Sequence, residues 1–491
     1  MKVLVELRPA FDGHAGIPQE TRLLFRGLRQ LPGQEVDGLI QSSQHLLAPG
    51  LPADDRATKG WPLDKRFNRQ SRVVVSAAPG RSVKKLELLK VAVRHLATLV
   101  GRRQSLGRFE AHYFSDFVWR ALFAQTLPLS DFDNITSAGY RVLRLPYSAM
   151  HQFSLALRYL FLRPIYPKLD TAGYRVFVAE TPFPGRVTAG TTLIVRYHDA
   201  IPILMPHSIK NREQHQALHM QALRRNVKDG AWFACVSDAT RNDLLKIFPE
   251  VAARAVTIPN MVSHHYFREE STAARVPDIL VTRCNRKVRP APRLASGADG
   301  DAANVPPFLL MVSTLEPRKN HLGLLSAWEQ LRNHGHPDLR LVFVGSLGWG
   351  QKAIVAKCLP WIQQGKLVML EDVPAAELRL LYRHAAVTVC PSFGEGFDFS
   401  GVEAMRCGGV VAASDIQVHR DVYGDAEGAA ADFFNPYAPN EIAAVLAKLL
   451  DPANEAHREA QRRHGARVSG QYLPEKLLPQ WQSFLDIAAG A

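Results

Sequence analysis

The sequence has few cysteines and no pattern among them. Cys235, Cys284, Cys358, Cys390 and Cys407 are odd in number, scattered and free of any C-x-x-C spacing, which argues against a disulfide framework or a structural zinc site and fits a reducing compartment. Long apolar runs are missing too: no stretch reaches the roughly 18 uninterrupted apolar residues that a membrane-spanning helix needs. The opening MKVLVELRP offers only a few apolar residues before Glu6 and Arg8, too few for a secretory h-region. The expectation is a cytoplasmic protein, with peripheral attachment to the inner face of the cytoplasmic membrane left open. Repeats with a period of 20 to 50 residues are absent, which excludes a solenoid. No nucleic-acid-binding motif or aromatic-basic platform stands out.

What is present is length and positive charge. At 491 residues the chain is long enough for two or three domains with cores of their own. The formal net charge of +14 favours an anionic partner. Part of the excess is local, because between Arg81 and Glu110 eight Lys/Arg face only Glu87 and Glu110, a net +6. There the basic residues alternate with Leu86, Leu88, Leu89, Val91, Val93, Leu96, Leu99 and Val100. Such a stretch suits a helix lying on an anionic membrane, and equally a solvated helix whose apolar side faces the core.

The apolar run KVLVEL (2–7), followed by a glycine-bearing loop and an amphipathic stretch with Pro18, Glu20 and leucines at 23, 24, 28 and 31, predicts strand, loop and helix, the opening of a doubly wound α/β domain. Behind Gly13 and Gly16 the helix N-terminus could accept an anion. Residues 45–170 mix basic amphipathic and aromatic-rich segments without a motif and are taken as an insertion. Strands are predicted at VFVA (from 176) and TTLIVRY (from 191), a helix over 211–229, and a helix capped by Ser237. Between 269 and 307 the composition turns to Pro, Ala, Gly and Asp, which predicts a flexible linker. The expected division is therefore an N-terminal domain over 1–268, a linker over 269–307, a second α/β domain over 308–472 and a C-terminal helix over 473–491 that could cross back to the first domain. Strands alternate with helices through both halves, predicting two parallel sheets covered on both faces.

Ligands of open α/β sheets gather beyond the carboxyl ends of the strands, and four polar sets fall there. Arg318 and Lys319, after the strand FLLMV, offer adjacent cations for a departing diphosphate; a solvated basic loop is the plainer alternative. Gly345, Gly348 and Gly350 allow close approach of the backbone to a ligand, or simply a tight turn. Glu395 and Glu403 flank a glycine-rich loop leading into a helix. Glu403 also completes a capping box with Ser400, whereas Glu395 has no such structural role and is the better candidate for a sugar. His198 and Asp199 follow TTLIVRY; a lone histidine is more often structural, and only its place at a strand end raises it.

These residues carry a resemblance. STLEPRKN (313–320), LVFVGSLGWG (341–350) and PSFGEGFDFSGVEAMRCGGVVAAS (391–414) are similar, continuously from about 308 to 450, to the retaining glycosyltransferases of family 4, also called group 1; YHDAIPIL and VSDATRNDLLKIFP resemble its N-terminal half. The resemblance implies the GT-B architecture, two Rossmann-like doubly wound α/β domains facing a central cleft. It implies diphosphate on Arg318 and Lys319, ribose hydroxyls on Glu403, and the donor sugar on Glu395 and the backbone from Gly396 through Phe397 and Asp398 to Phe399. It also places His198 near the reacting carbon, and Gly16 and Gly345 at the donor. No metal and no cofactor is implied, because the two cations supply the charge and no D-x-D pair stands at a comparable strand end. The implied reaction moves a hexose, mannose from GDP-mannose as first candidate, from a nucleotide-sugar to a lipid-linked bacterial surface saccharide. Asp398 and Ser400 stand where the family has Gly and Pro, and Asp398 is expected to add a carboxylate beside the sugar. The competing readings are a non-catalytic basic module for nucleic acid or anionic lipid, and an epimerase or phosphorylase on the same fold.

Overall fold

The computed structural model describes residues 1–13, 16–78, 85–161, 163–285, 287–288, 306–425 and 427–490. The first sheet contains β1 (Lys2–Glu6), β2 (Glu35–Ile40), β3 (Gly107–Phe109), β4 (Tyr140–Val142), β5 (Val176–Ala179), β6 (Thr192–Tyr197), β7 (Trp232–Cys235) and β8 (Ala255–Thr257). Its spatial order is β3-β4-β2-β1-β5-β6-β7-β8, with every pairing parallel except β3–β4. The second sheet contains β9 (Phe308–Val312), β10 (Arg340–Val344), β11 (Leu367–Leu370), β12 (Val387–Cys390) and β13 (Val411–Ser414). A hairpin of β14 (Gly424–Asp425) and β15 (Gly428–Ala429) stands apart, and β16 (Asp432–Phe434) closes the order β11-β10-β9-β12-β13-β16, parallel throughout. This is the doubly wound arrangement, whose strand order reverses between β9 and β12 and opens a crevice beyond their carboxyl ends. In the first sheet the same reversal lies between β1 and β5.

Each strand feeds two cores because successive side chains point to opposite faces. Val3 and Val5 enter one N-terminal core and Leu4 the other; Phe308 and Leu310 enter one C-terminal core, Leu309 and Met311 the other. Strands buried on both faces need near-continuous apolar runs, and FLLMV and LVML are such runs.

Two expectations about organisation change. The tract predicted as a flexible linker over 269–307 begins with a folded piece. The helix Val276–Thr282 buries Val276, Ile279 and Leu280 in the C-terminal core, Arg283 makes a two-pronged bond to Glu377 at 2.6 and 2.7 Å, and Asn285 N donates to the Met369 carbonyl. Three apolar residues at helical spacing were averaged away by the Pro/Ala/Gly-rich sequence after them; residues 289–305 lie outside the described set. The segment 45–170 is not wholly an insertion, since it supplies β3 and β4, and Phe109, Trp119 and Phe123 belong to the same core as Val3. The C-terminal helix does cross back: Pro474–Gly490 lies on the N-terminal domain, where Leu477, Trp481, Phe484 and Leu485 join that core.

Candidate functional site

The loops after β9 and β12 meet at the sheet's crossover. Pro317–Lys319 forms one 3-10 turn that ends at Asn320, which adopts the left-handed conformation at φ +62°. Its side chain accepts from Gly323 N and donates to the carbonyls of Pro391 and Pro436, at 3.0 and 2.8 Å. Asn320 thereby ties the cationic loop to the glutamate loop, a role its sequence position did not suggest. Phe393 N donates to the Arg318 carbonyl. Arg318 and Lys319 then both reach Glu395, Nη1 to Oε2 at 2.8 Å and Nζ to Oε1 at 2.6 Å. Burial opposes the charge on each member, but the Glu395 carboxylate raises Arg318, and the two cations hold Glu395 below its ordinary value. Two cations against one carboxylate leave a net positive site at the carboxyl edge of the sheet, suited to an anion. The carboxylate that was expected to meet a sugar is engaged by the two cations in this structure.

The glycines of the second set answer to the chain itself. A Cβ on Gly345 would lie 2.1 Å from the Ser313 carbonyl, and one on Gly348 2.6 Å from Glu316 Cγ. Leu315 and Leu347 bridge the same two loops. Gly345 is thus required for the loop after β10 to pack on the cationic loop.

Between β12 and the helix Phe399–Arg406, the glutamate loop faces the N-terminal domain. A Cβ on Gly396 would fall 1.6 Å from the His198 carbonyl, while the Gly396 carbonyl accepts from Ser237 Oγ at 2.8 Å. Phe397 and Phe399 pack edge-on at 5.2 Å with their rings in the core, so a ligand can meet only their backbone. Asp398 corrects two expectations at once. It is the N-cap of the helix, its Oδ1 accepting from Ser400 N and Oγ at 3.0 and 2.6 Å, and its Oδ2 lies 3.4 Å from His419 Nε2. Although burial would raise it, His419 and Ser400 hold its carboxyl far below the usual range. Ser400 is therefore not the cap, and the Asp398 carboxylate is turned into the protein rather than added beside the sugar.

Glu403 closes no capping box. Its Oε1 accepts from Gln19 Nε2 at 2.9 Å and its Oε2 from Tyr382 OH at 3.0 Å, and burial pushes its carboxyl up to about 7. Gln19 belongs to the first turn of the helix Ile17–Leu28, whose N-cap is Gly16 at φ +69°, so the helix predicted to accept an anion reaches the glutamate across the domain boundary. His198 follows β6 and faces Glu180, which follows β5; Nε2 and Oε2 are 3.7 Å apart. Burial pushes His198 down to about 4 and Glu180 up to about 8, so the neutral forms meet at neutral pH. The structure thus brings His198, Gly396, Glu395, Arg318 and Lys319 to one cleft wall-to-wall contact, with Gln19, Ser237, Glu180 and Asn320 as participants that sequence reasoning missed. Of these, Glu180 and Ser237 carried a signal in following strands, and Asn320 in closing the cationic motif, whereas Gln19 carried none.

Comparison with known proteins fits this geometry. The family described as Glycosyl transferases group 1 matches residues 298–466. An Escherichia coli O-antigen chain mannosyltransferase B is 28% identical over 261 residues, covering 53% of this chain and 61% of that one. The Escherichia coli serotype-specific mannosyltransferase WbdA is 32% identical over 145 residues, 29% of this chain and 17% of the relative. The chain spans about three fifths of the first relative and less than a fifth of the second. Among solved structures, sucrose-phosphate synthase from Thermosynechococcus elongatus superposes with a TM-score of 0.60 at 15% identity over the full length of both chains. Anabaena HepE in complex with UDP-glucose superposes at 0.56 and 14% identity over 99% of each. Residues 298–466 thus match the group 1 glycosyl transferases, and the chain as a whole has the two-domain GT-B fold.

Proposed function

We propose that the protein is a retaining glycosyltransferase that moves a hexose from a nucleotide-sugar to a saccharide acceptor, with mannose from GDP-mannose as the first candidate. The observation that carries this reading is the pairing of Arg318 and Lys319 on Glu395 beside Gly396, whose loop touches His198 of the opposite domain. A diphosphate bound there would meet two preorganised cations, and these stabilise the charge that grows as the bond to the anomeric carbon breaks. The acceptor hydroxyl forms its new bond to that carbon on the face the diphosphate leaves, and a diphosphate oxygen takes the hydroxyl proton. Glu403 receives the ribose hydroxyls in place of Gln19, His198 lies by the sugar, and closure of the two domains excludes water. No metal takes part in this scheme. The O-antigen mannosyltransferase relative supports a bacterial surface polysaccharide as acceptor; that the acceptor is carried on lipid, and that the protein sits peripherally on the cytoplasmic face of a membrane, are parts of this proposal.

The test is turnover. Purified protein is incubated with GDP-mannose, UDP-glucose and other nucleotide-sugars plus saccharide acceptors, and nucleoside diphosphate release and product linkage are measured. Release with GDP-mannose and an α-linked product is expected. An epimerised or phosphorolysed product would replace transfer with one of the rival reactions, and salt-sensitive nucleic-acid binding without donor binding would favour the non-catalytic module.

A further inference from the structure

The basic stretch of the N-terminal domain has a fixed orientation. Along the helix Lys85–Leu96, Glu87, Val91 and His95 point inward: Glu87 Oε1 accepts from Leu46 N at 2.7 Å, Val91 joins the core of Leu4 and Phe177, and His95 Nε2 meets the Ile165 carbonyl at 3.2 Å. With about 100° per residue, Leu89, Val93 and Leu96 fall on roughly the opposite side, and Leu99 and Val100 follow in the turn after the helix. Leu89, Val93 and Leu96 are exposed by 59%, 59% and 49%, and Leu99 and Val100 by 39% and 80%. Single exposed leucines are ordinary on a protein surface, but five large apolar side chains within one short stretch form a patch that calls for a partner.

The charge beside the patch indicates which partner. Lys90, Arg102 and Arg103 are exposed and Arg94 is partly so, and the nearest acid to Arg103 is Asp170 at 4.0 Å. Arg69, Arg94 and Arg144 lie close enough together that, after burial, the other two cations help push Arg144 down to about 10. An apolar stripe flanked by cations fits a bilayer surface of anionic phospholipid, with the leucines and valines in the acyl boundary and the arginines and lysine at the phosphates. No helix among the described residues is long and apolar enough to cross a membrane. We propose that the outer face of Lys85–Leu96 and the turn through Arg103 is the surface by which the protein docks on an anionic lipid bilayer. This deepens, and rests on, the reading that the acceptor is carried on lipid, since it sets the N-terminal domain against the membrane where such an acceptor would stand.

Vesicle co-sedimentation tests it with the full chain, using phosphatidylcholine alone and phosphatidylcholine with 30% phosphatidylglycerol. Binding is expected only to the anionic vesicles and should weaken at 0.5 M salt. L89E/V93E should lower partitioning by about tenfold or more, and K90E/R102E by about fivefold for each cation removed. Both variants change exposed side chains, so far-UV circular dichroism and turnover with a soluble acceptor should match the wild type. Equal binding to neutral vesicles, or unchanged binding by L89E/V93E, would overturn the inference. So would a lipid-independent dimer abolished by the same substitutions, which would give the patch to a second copy of the chain. Turnover without vesicle binding would defeat the surface and leave the function standing; vesicle binding without turnover would do the reverse.

Discussion

Glu395 and Glu403 stand eight positions apart, yet the fold treats them oppositely. Glu395 is stripped of solvent but matched by two cations, whereas Glu403 is buried among neutral donors, Gln19, Tyr382 and Tyr266. A buried carboxyl without a cation favours its proton, so Glu403 stabilises the folded state fully below the unfolded value near pH 4.5. That contribution is lost as pH rises through about 7, a swing on the order of 3 kcal/mol. Glu403→Gln, which is neutral at every pH, should therefore gain melting temperature relative to the wild type between pH 5 and pH 8. A parallel pair of Tm curves would contradict this. For Arg318→Ala the expectation is a fall in turnover of about 10²-fold or more, the usual effect of removing one preorganised donor to a developing charge. Substrate saturation kinetics should place the loss mainly in kcat. The Gln19 contact also competes for Glu403, so Gln19→Ala should tighten nucleoside diphosphate binding about fivefold by calorimetry, the worth of one modest hydrogen bond.

At the scale of elements, the loop between β12 and the helix Phe399–Arg406 is shaped more by its neighbours than by its own sequence. FGEGFDF reads as a ligand loop, and the close backbone approach it requires is present, but the approaching backbone is His198 of the other domain. Gly396→Ala should accordingly push the two walls apart. Turnover is expected to fall by about 10²-fold, as misplacement of about 1 Å can do, while far-UV circular dichroism stays unchanged because both sheets lie behind the contact. Asp398 teaches the same lesson. Its sequence position suggested a carboxylate for the sugar, and the cap it makes could be read only once the helix start was known to be Phe399 rather than a later residue.

For the molecule as a whole, the chain's last helix is part of its first domain. Trp481 is fully buried there, with the Arg196 guanidinium 5.3 Å from its ring centroid, and Arg196 in turn pairs with Glu20 at 2.8 Å and donates to Asn260 Oδ1 at 2.7 Å. Trp481→Ala should cost about 3–5 kcal/mol, and calorimetry should show the loss in the N-terminal transition while the C-terminal one keeps its midpoint. The sequence by itself determined the strands and their burial, because apolar runs and helical periodicity are local properties that each segment carries alone. It also determined the cationic and glutamate motifs, which lie within a few residues of strand ends. Only the tertiary structure decided what those motifs touch: Gln19 on Glu403, His198 against Gly396, the folded helix Val276–Thr282, and Trp481 in the opposite domain. These contacts join residues tens to hundreds of positions apart, and their energy comes from burial that no local window of sequence contains.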